Sequence, residues 1–135
     1  MIVGFTGTRR GMTGAQSDTV MRLLRSFHTP GAVFHHGADL GADHEASLLA
    51  ERVGYEVVPH PGGTAKENIE RNHLIVELCQ VLFAAPAGAE VLRSGTWATI
   101  RFARGLLVKK PTGGSRPVVI AWPDGTKEEA WTTLR

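Results

Sequence analysis

The sequence predicts an α/β fold: a single three-layer Rossmann-like domain over residues 1–135, with about five parallel strands in the order 3-2-1-4-5 and helices on both faces. Three observations carry this. Short apolar runs alternate along the chain with segments of helical period. The runs are nearly continuous in hydrophobicity, as strands buried on both faces are. Several of the 16 glycines fall where a strand gives way to a helix.

The elements follow in order. MIVGFT (1–6) reads as the first strand and GTRRGM (7–12) as a glycine-rich loop. Thr13 and Gln16 fit a capping box, and Val20, Leu23, Leu24 and Phe27 continue at helical spacing. After Pro30-Gly31, AVFHH (32–36) is the second strand and GADLGAD (37–43) a second loop of small residues. Ala42, Ala46, Leu49, Ala50 and Val53 form a helical stripe that Gly54 ends. YEVVPH (55–60) is the third strand, broken by Pro61-Gly62-Gly63. Thr64 and Glu67 fit another capping box, opening a helix that runs to about Leu78. QVLFAAP (80–86) is the fourth strand, AGAEVLRS a loop, and the RSGTW junction opens a helix to about Val108. KKPTGGSR (109–116) reads as a basic, flexible surface connector, PVVIAW (117–122) as the fifth strand and Pro123-Asp124-Gly125 as a turn. The tail, TKEEAWTTLR, fits a short helix or an extended edge equally well.

Composition bounds the function. A chain of 135 residues suits one domain and buries about two-thirds of its unfolded surface. At 42% hydrophobic and 21% charged it is not a disordered sequence. The net charge of +2, from 15 basic against 13 acidic residues, is too mild to argue for bulk nucleic-acid binding by itself. Cys79 is the single cysteine, which excludes an internal disulfide, suits a reducing compartment and reads as a small buried side chain. The N-terminus lacks signal-peptide character, and no apolar stretch approaches the roughly 20 residues of a membrane helix. The expectation is a soluble cytoplasmic protein with no membrane partner.

In an open parallel sheet, ligands bind beyond the carboxyl ends of the strands where the strand order reverses. The order 3-2-1-4-5 reverses between the first and fourth strands, so GTRRGM should face PAGAEVLRSGT (86–96). A helix start leaves N–H groups unpaired and carries partial positive charge. Gly95 and Thr96, preceded by Arg93 and Ser94, therefore suit a phosphate or ribose. Gly7 and Thr8 end the first strand at the same point, and Arg9 and Arg10 suit a phosphate or carboxylate clamp. Gly37, Gly41 and Asp43 flank the site, Asp43 also fitting a cap or a partner for backbone amides at the second helix. Arg71 shares a helical stripe with Ile75 and Leu78. It either extends its guanidinium into the cleft or pairs with Glu67 or Glu70. Trp97 stripes with Arg101 and Arg104, as a stacking surface for a base, an interface, or a ring packed under arginine stems. His35, His36, Asp39, Asp43 and His44 match no metal signature, and neighbouring strand residues point to opposite faces. Neither a metal nor a cofactor is expected. His60 belongs to the cleft rim or the surface.

GFTGTR at the start, HHGADLGAD after the second strand, ERN at 70–72, FAAP closing the fourth strand and RSGTW together resemble the SLOG superfamily, which includes LOG-like and DprA-like proteins. The similarity is greatest to small stand-alone members of the YspA- and YpsA-related type and covers nearly all of residues 1–122. It implies a Rossmann-like fold that binds nucleotides or nucleotide-derived ligands, often as a homo-oligomer. LOG enzymes cleave the N-glycosidic bond of a cytokinin nucleotide, using an arginine on the third helix and a glutamate in a PGGxGTxxE motif. Arg71 matches the arginine, and Gly95 and Thr96 match the GT. Thr99 stands at the glutamate position, and Arg93 and Ser94 replace the glycine pair. DprA-like members bind single-stranded DNA, for which Arg9, Arg10, Arg93, Trp97, Arg101, Arg104, Lys109 and Lys110 would form the groove. The first expectation is a non-catalytic module that senses or sequesters a nucleotide-derived small molecule. The second is a LOG-like phosphoribohydrolase, with Arg71 positioning phosphate and Glu90 or Asp43 as the carboxylate. The third is a DprA-like single-strand binder. The sequence leaves open whether the protein is an enzyme.

Overall fold

A computed structural model describes residues 1–109 and 116–130. The elements are β1 (Ile2–Gly7), α1 (Gly14–Phe27), β2 (Val33–His36), α2 (Ala42–Val53), β3 (Glu56–Pro59), α3 (Ala65–Leu78), β4 (Val81–Ala85), α4 (Gly95–Lys109), β5 (Val118–Ala121) and β6 (Lys127–Ala130). The strands form one sheet in the order β3-β2-β1-β4-β5-β6. The first five are parallel in the expected order, and β1 and β4 run in register from Val3↔Val81 to Gly7↔Ala85.

The difference from the sequence expectation is β6, a sixth strand antiparallel to β5. It settles residues 127–130 of the tail as an extended edge. The turn at Pro123-Asp124-Gly125 folds the chain back, with Gly125 at φ +89° and the Trp122 N–H donating to Thr126 O at 2.8 Å. The connector at 109–116 falls mostly outside the described residues.

Side chains alternate across the sheet because successive strand residues point to opposite faces. Val3, Phe5, Phe34 and Phe83 pack under α1 and α2, with Leu24 and Ala46. Leu82, Ala84 and Ile120 pack under α3 and α4, with Val76 and Ile100. Cys79 is buried in this second layer, and burial pushes its thiol up to about 12.

Both capping boxes form. Thr13 Oγ1 accepts from the Gln16 N–H at 3.0 Å, and Thr64 Oγ1 from the Glu67 N–H at 3.2 Å. Gln16 also donates to Pro86 O at 2.9 Å and Ala121 O at 2.7 Å, tying α1 to the carboxyl ends of β4 and β5. Among the described residues no helix is long and apolar enough to cross a membrane.

Candidate functional site

The strand order reverses between β1 and β4, and a cavity of about 730 Å³ opens there. Thr8 and Thr96, far apart in sequence, both line it. The Thr8 backbone is the junction: its N–H donates to Ala85 O at 3.0 Å, and its carbonyl accepts from the Gly11 N–H at 3.2 Å and the Ala42 N–H at 2.9 Å. Glu45 accepts from the Met12 N–H at 2.7 Å. The loop carrying Arg9 and Arg10 is therefore fixed at both ends. The two side chains are exposed and line the cavity, Arg9 lying 3.9 Å from Asp39.

At the start of α4, Ser94 Oγ accepts from the Trp97 N–H at 3.2 Å and Ser94 O from the Ala98 N–H at 2.9 Å. The Gly95 and Thr96 N–H groups have no acceptor among the described residues. Neither do those of Gly88 and Ala89 in the facing loop. All four residues line the cavity, as do Gly7, Arg93 and Ser94.

Gly37 and Gly41, expected in the ligand set, lie outside the cavity lining. Gly41 has φ +78°, and a Cβ there would sit 2.3 Å from Arg9 O, so only glycine lets the two loops touch. A Cβ on Gly37 would come within 2.8 Å of Arg71 Nη1.

Asp43 lines the cavity and is only 3% exposed. Its Oδ2 accepts from the Gly37 N–H at 2.9 Å and the Asp39 N–H at 3.4 Å, so it holds the preceding loop rather than the amides of α2. Burial, and then the neighbouring Asp39 carboxylate, push its pKa up to about 7. Asp39 also lines the cavity, with its charge answered by Arg71 at 3.3 Å.

Arg71 is buried at the cavity wall, paired with Asp39 rather than with Glu67 or Glu70. Its Nη1 donates to Gly37 O and to His60 O, the latter at 3.1 Å; Nη2 donates to Asp39, and Nε to Asn72 Oδ1 at 2.7 Å. Four of the five guanidinium donors are thus used within the protein. The residue contributes charge and fixes the ends of β2 and β3.

Trp97 turns inward, 4% exposed, with its ring 5.8 Å from that of Trp122 and its Nε1 donating to Gly88 O at 3.3 Å. It is part of the cavity lining, but so little of it is exposed that it offers no open face to a base. Glu90 lies outside the cavity lining, bonded to Arg101 at 2.9 Å, so it is not placed as a catalytic carboxylate. Arg101 also donates to Val91 O and Leu92 O, and Arg104 pairs with Glu128 at 3.6 Å. Thr99, at the position of the LOG glutamate, bonds its own helix at Gly95 O, 2.8 Å away.

Sequence reasoning missed Asn68, Ile69 and His73, and took Asn72 only as part of ERN; all four line the cavity from α3. The signal was present: Asn68 and Asn72 stand one helical turn apart, flanking Arg71. His73 stacks flat on Phe102 with centroids 3.7 Å apart. Away from the cavity lining, His35 Nδ1 lies 2.8 Å from His60 Nε2, and His36 accepts from the Ala38 N–H at 3.1 Å. Among the described residues no group of three or more His, Cys, Asp or Glu side chains is arranged to hold a metal.

The arrangement offers N–H groups, hydroxyls and guanidinium groups to an anion, beside a carboxyl wall built from one loop. No protein-family model matches the chain, and no curated protein sequence does either. Its fold is similar to that of DNA processing protein A from Helicobacter pylori, described for its single-stranded DNA binding mode. That match has 19% identity and a TM-score of 0.61 over 89% of this chain and 64% of that one. DNA processing protein A from Streptococcus pneumoniae matches at 17% identity and a TM-score of 0.67, over 87% of this chain and 49% of that one. The molybdenum cofactor binding protein of Rippkaea orientalis matches at 18% identity and a TM-score of 0.61, over 90% and 76%. The chain spans less than two-thirds of either DNA processing protein. These likenesses establish the α/β fold.

Proposed function

We propose that this chain binds a nucleotide-derived small molecule through its phosphate, in the cavity between β1 and β4, as a sensor or sequestering module. One observation carries the reading. Gly88, Ala89, Gly95 and Thr96, whose N–H groups have no acceptor among the described residues, line a cavity that Arg9, Arg10 and Arg93 also line. Backbone N–H groups at a helix start and in a turn are a ready anion site, and arginine complements phosphate. A volume of about 730 Å³ suits a ligand of nucleotide size. The neighbours' single-stranded DNA and molybdenum cofactor support ligand binding by this fold in general. The position of Glu90 and the helix-bonded Thr99 favour binding over LOG-like hydrolysis. Calorimetry with mono-, di- and cyclic nucleotides and ADP-ribose should give saturable binding with no free base released. No binding across that panel overturns the reading.

The fold likeness to two DNA processing proteins, with exposed Arg9, Arg10 and Arg93, favours single-stranded DNA as the second reading. It requires affinity for oligonucleotides that falls steeply with salt. Salt-insensitive or absent binding removes it. The homo-oligomer that the SLOG resemblance implies belongs to the same proposal, and sedimentation of the purified chain tests it.

A further inference from the structure

The carboxyl group of Asp43 is only half used. Its Oδ2 takes two backbone N–H groups and its Oδ1 none, although the residue is 3% exposed. Among the described residues no fully buried side-chain nitrogen or oxygen lacks a partner. Oδ1 must therefore reach open space, and Asp43 lines the cavity. The same holds for the hydroxyl of Thr6, 8% exposed, in the cavity lining and without a partner among the described residues. Two amides stand in the same lining. Asn68 Oδ1 accepts from the Gly63 N–H and Asn72 Oδ1 from Arg71 Nε, which leaves each an NH2 to donate.

One acceptor, one hydroxyl and two amide donors form the mixed set that a polyhydroxyl group satisfies, since each ligand hydroxyl both donates and accepts. Aromatic faces are scarce by comparison. Phe5 and Trp97 are buried at 1% and 4%, and the His73 ring is covered on one side by Phe102. A base has little here to stack on.

Resting on the reading of this cavity as a nucleotide site, we propose that its carboxyl wall reads the hydroxyls of a phosphorylated ribose. Asp43 Oδ1 accepts from a sugar hydroxyl, Thr6, Asn68 and Asn72 complete the set, and the phosphate takes the Gly95 and Thr96 N–H groups. The ligand class is therefore a ribonucleotide or ribose phosphate rather than a deoxyribose compound. Leaving Asp43 Oδ1 opposite a missing hydroxyl strands a buried acceptor, which binding does not tolerate cheaply.

The test is calorimetry with the four ribonucleoside 5′-monophosphates, their 2′,3′-dideoxy counterparts and inorganic phosphate. The dideoxy compounds are expected to bind about tenfold or more weakly than the ribonucleotides. Asp43→Asn and Thr6→Val should each narrow that gap while leaving the affinity for inorganic phosphate unchanged. Equal binding of ribo and dideoxy compounds to the wild-type protein overturns this inference and leaves the nucleotide site standing. If neither nucleotides nor phosphate bind, the site reading itself fails and carries the inference with it. The wild-type comparison decides the matter even if a variant does not fold.

Discussion

Replacing Asp43 with asparagine should stabilise the protein at neutral pH. Asparagine is isosteric, and its Oδ1 can accept the Gly37 and Asp39 N–H groups that the carboxylate now holds. What it removes is a titration. Burial and the Asp39 carboxylate raise the pKa of Asp43 from 3.8 to about 7. The folded state therefore binds a proton that the unfolded chain has released between those values, and wild-type stability falls as pH rises through that window. A shift of about three units corresponds to about 4 kcal/mol. That value already includes the opposing pull of Arg71 and of the two N–H donors on the ionised form. Urea denaturation of both proteins at pH 4 and pH 8 measures it. The variant should gain on the wild type as pH rises, by up to about 4 kcal/mol, and the two should converge near pH 4. A stability difference that stays flat from pH 4 to pH 8 would show that the buried carboxyl is already ionised in acid, and the electrostatic account of this wall would be wrong.

Three further outcomes follow from the same geometry. Gly41→Ala forces a Cβ against Arg9 O at a positive φ, and guanidinium denaturation should register a loss of about 3 kcal/mol; an unchanged midpoint would mean that the two loops are not in contact. Arg93→Ala should leave stability within about 0.5 kcal/mol but weaken phosphate binding by about threefold or more, whereas Glu90→Ala should leave phosphate affinity unchanged; isothermal titration of the pair separates rim from bystander. His35 and His60 have lowered pKa values, chiefly from burial, then from each other's charge for His35 and from Arg71 for His60. The folded state therefore refuses protons that the unfolded chain accepts, and the stability they contribute is present above 6.5 and lost as pH falls below it. Because Asp43 acts in the opposite sense, thermal midpoints from pH 7.5 to 5 should be read in the Asp43→Asn background. There His60→Gln should flatten the acid decline, and an identical slope in both would exclude the pair as its source.

The parallel core of the fold was legible because hydrophobic runs and helical stripes are local signals, and the capping boxes at Thr13 and Thr64 mark two helix starts residue by residue. The strand at 127–130 was not. KEEA has no alternating apolar pattern, because an edge strand takes its apolar support from its neighbour, here Val118–Ala121. Its turn announced itself, and an extended edge stood beside a short helix as one of two readings of the tail. At the site, the meeting of GTRRGM with RSGT followed from sheet topology, whereas side-chain direction did not. Trp97 shares a stripe with arginines, yet the pull of Trp122 and Ile100 turned it into the core. Glu90 lies within the right loop and faces Arg101 instead. Gly37 and Gly41 looked like room for a ligand, but the space they save is taken by Arg71 and by the Arg9 carbonyl.

The tight seam at Gly41, where α2 begins on the carbonyl of Thr8, bears on how an occupant would arrive. With β1, β4 and α2 all bonded to one residue's main chain, the mouth of the cleft is a mould already set before anything enters. At the Thr8 junction a guest meets a loop already fixed by the main chain, so ordering that loop adds little to the entropy that binding forfeits. Such a mould discriminates by refusing shapes and unmatched hydrogen bonds, and its selectivity should survive cooling, crowding or modest denaturant for as long as that seam stays closed.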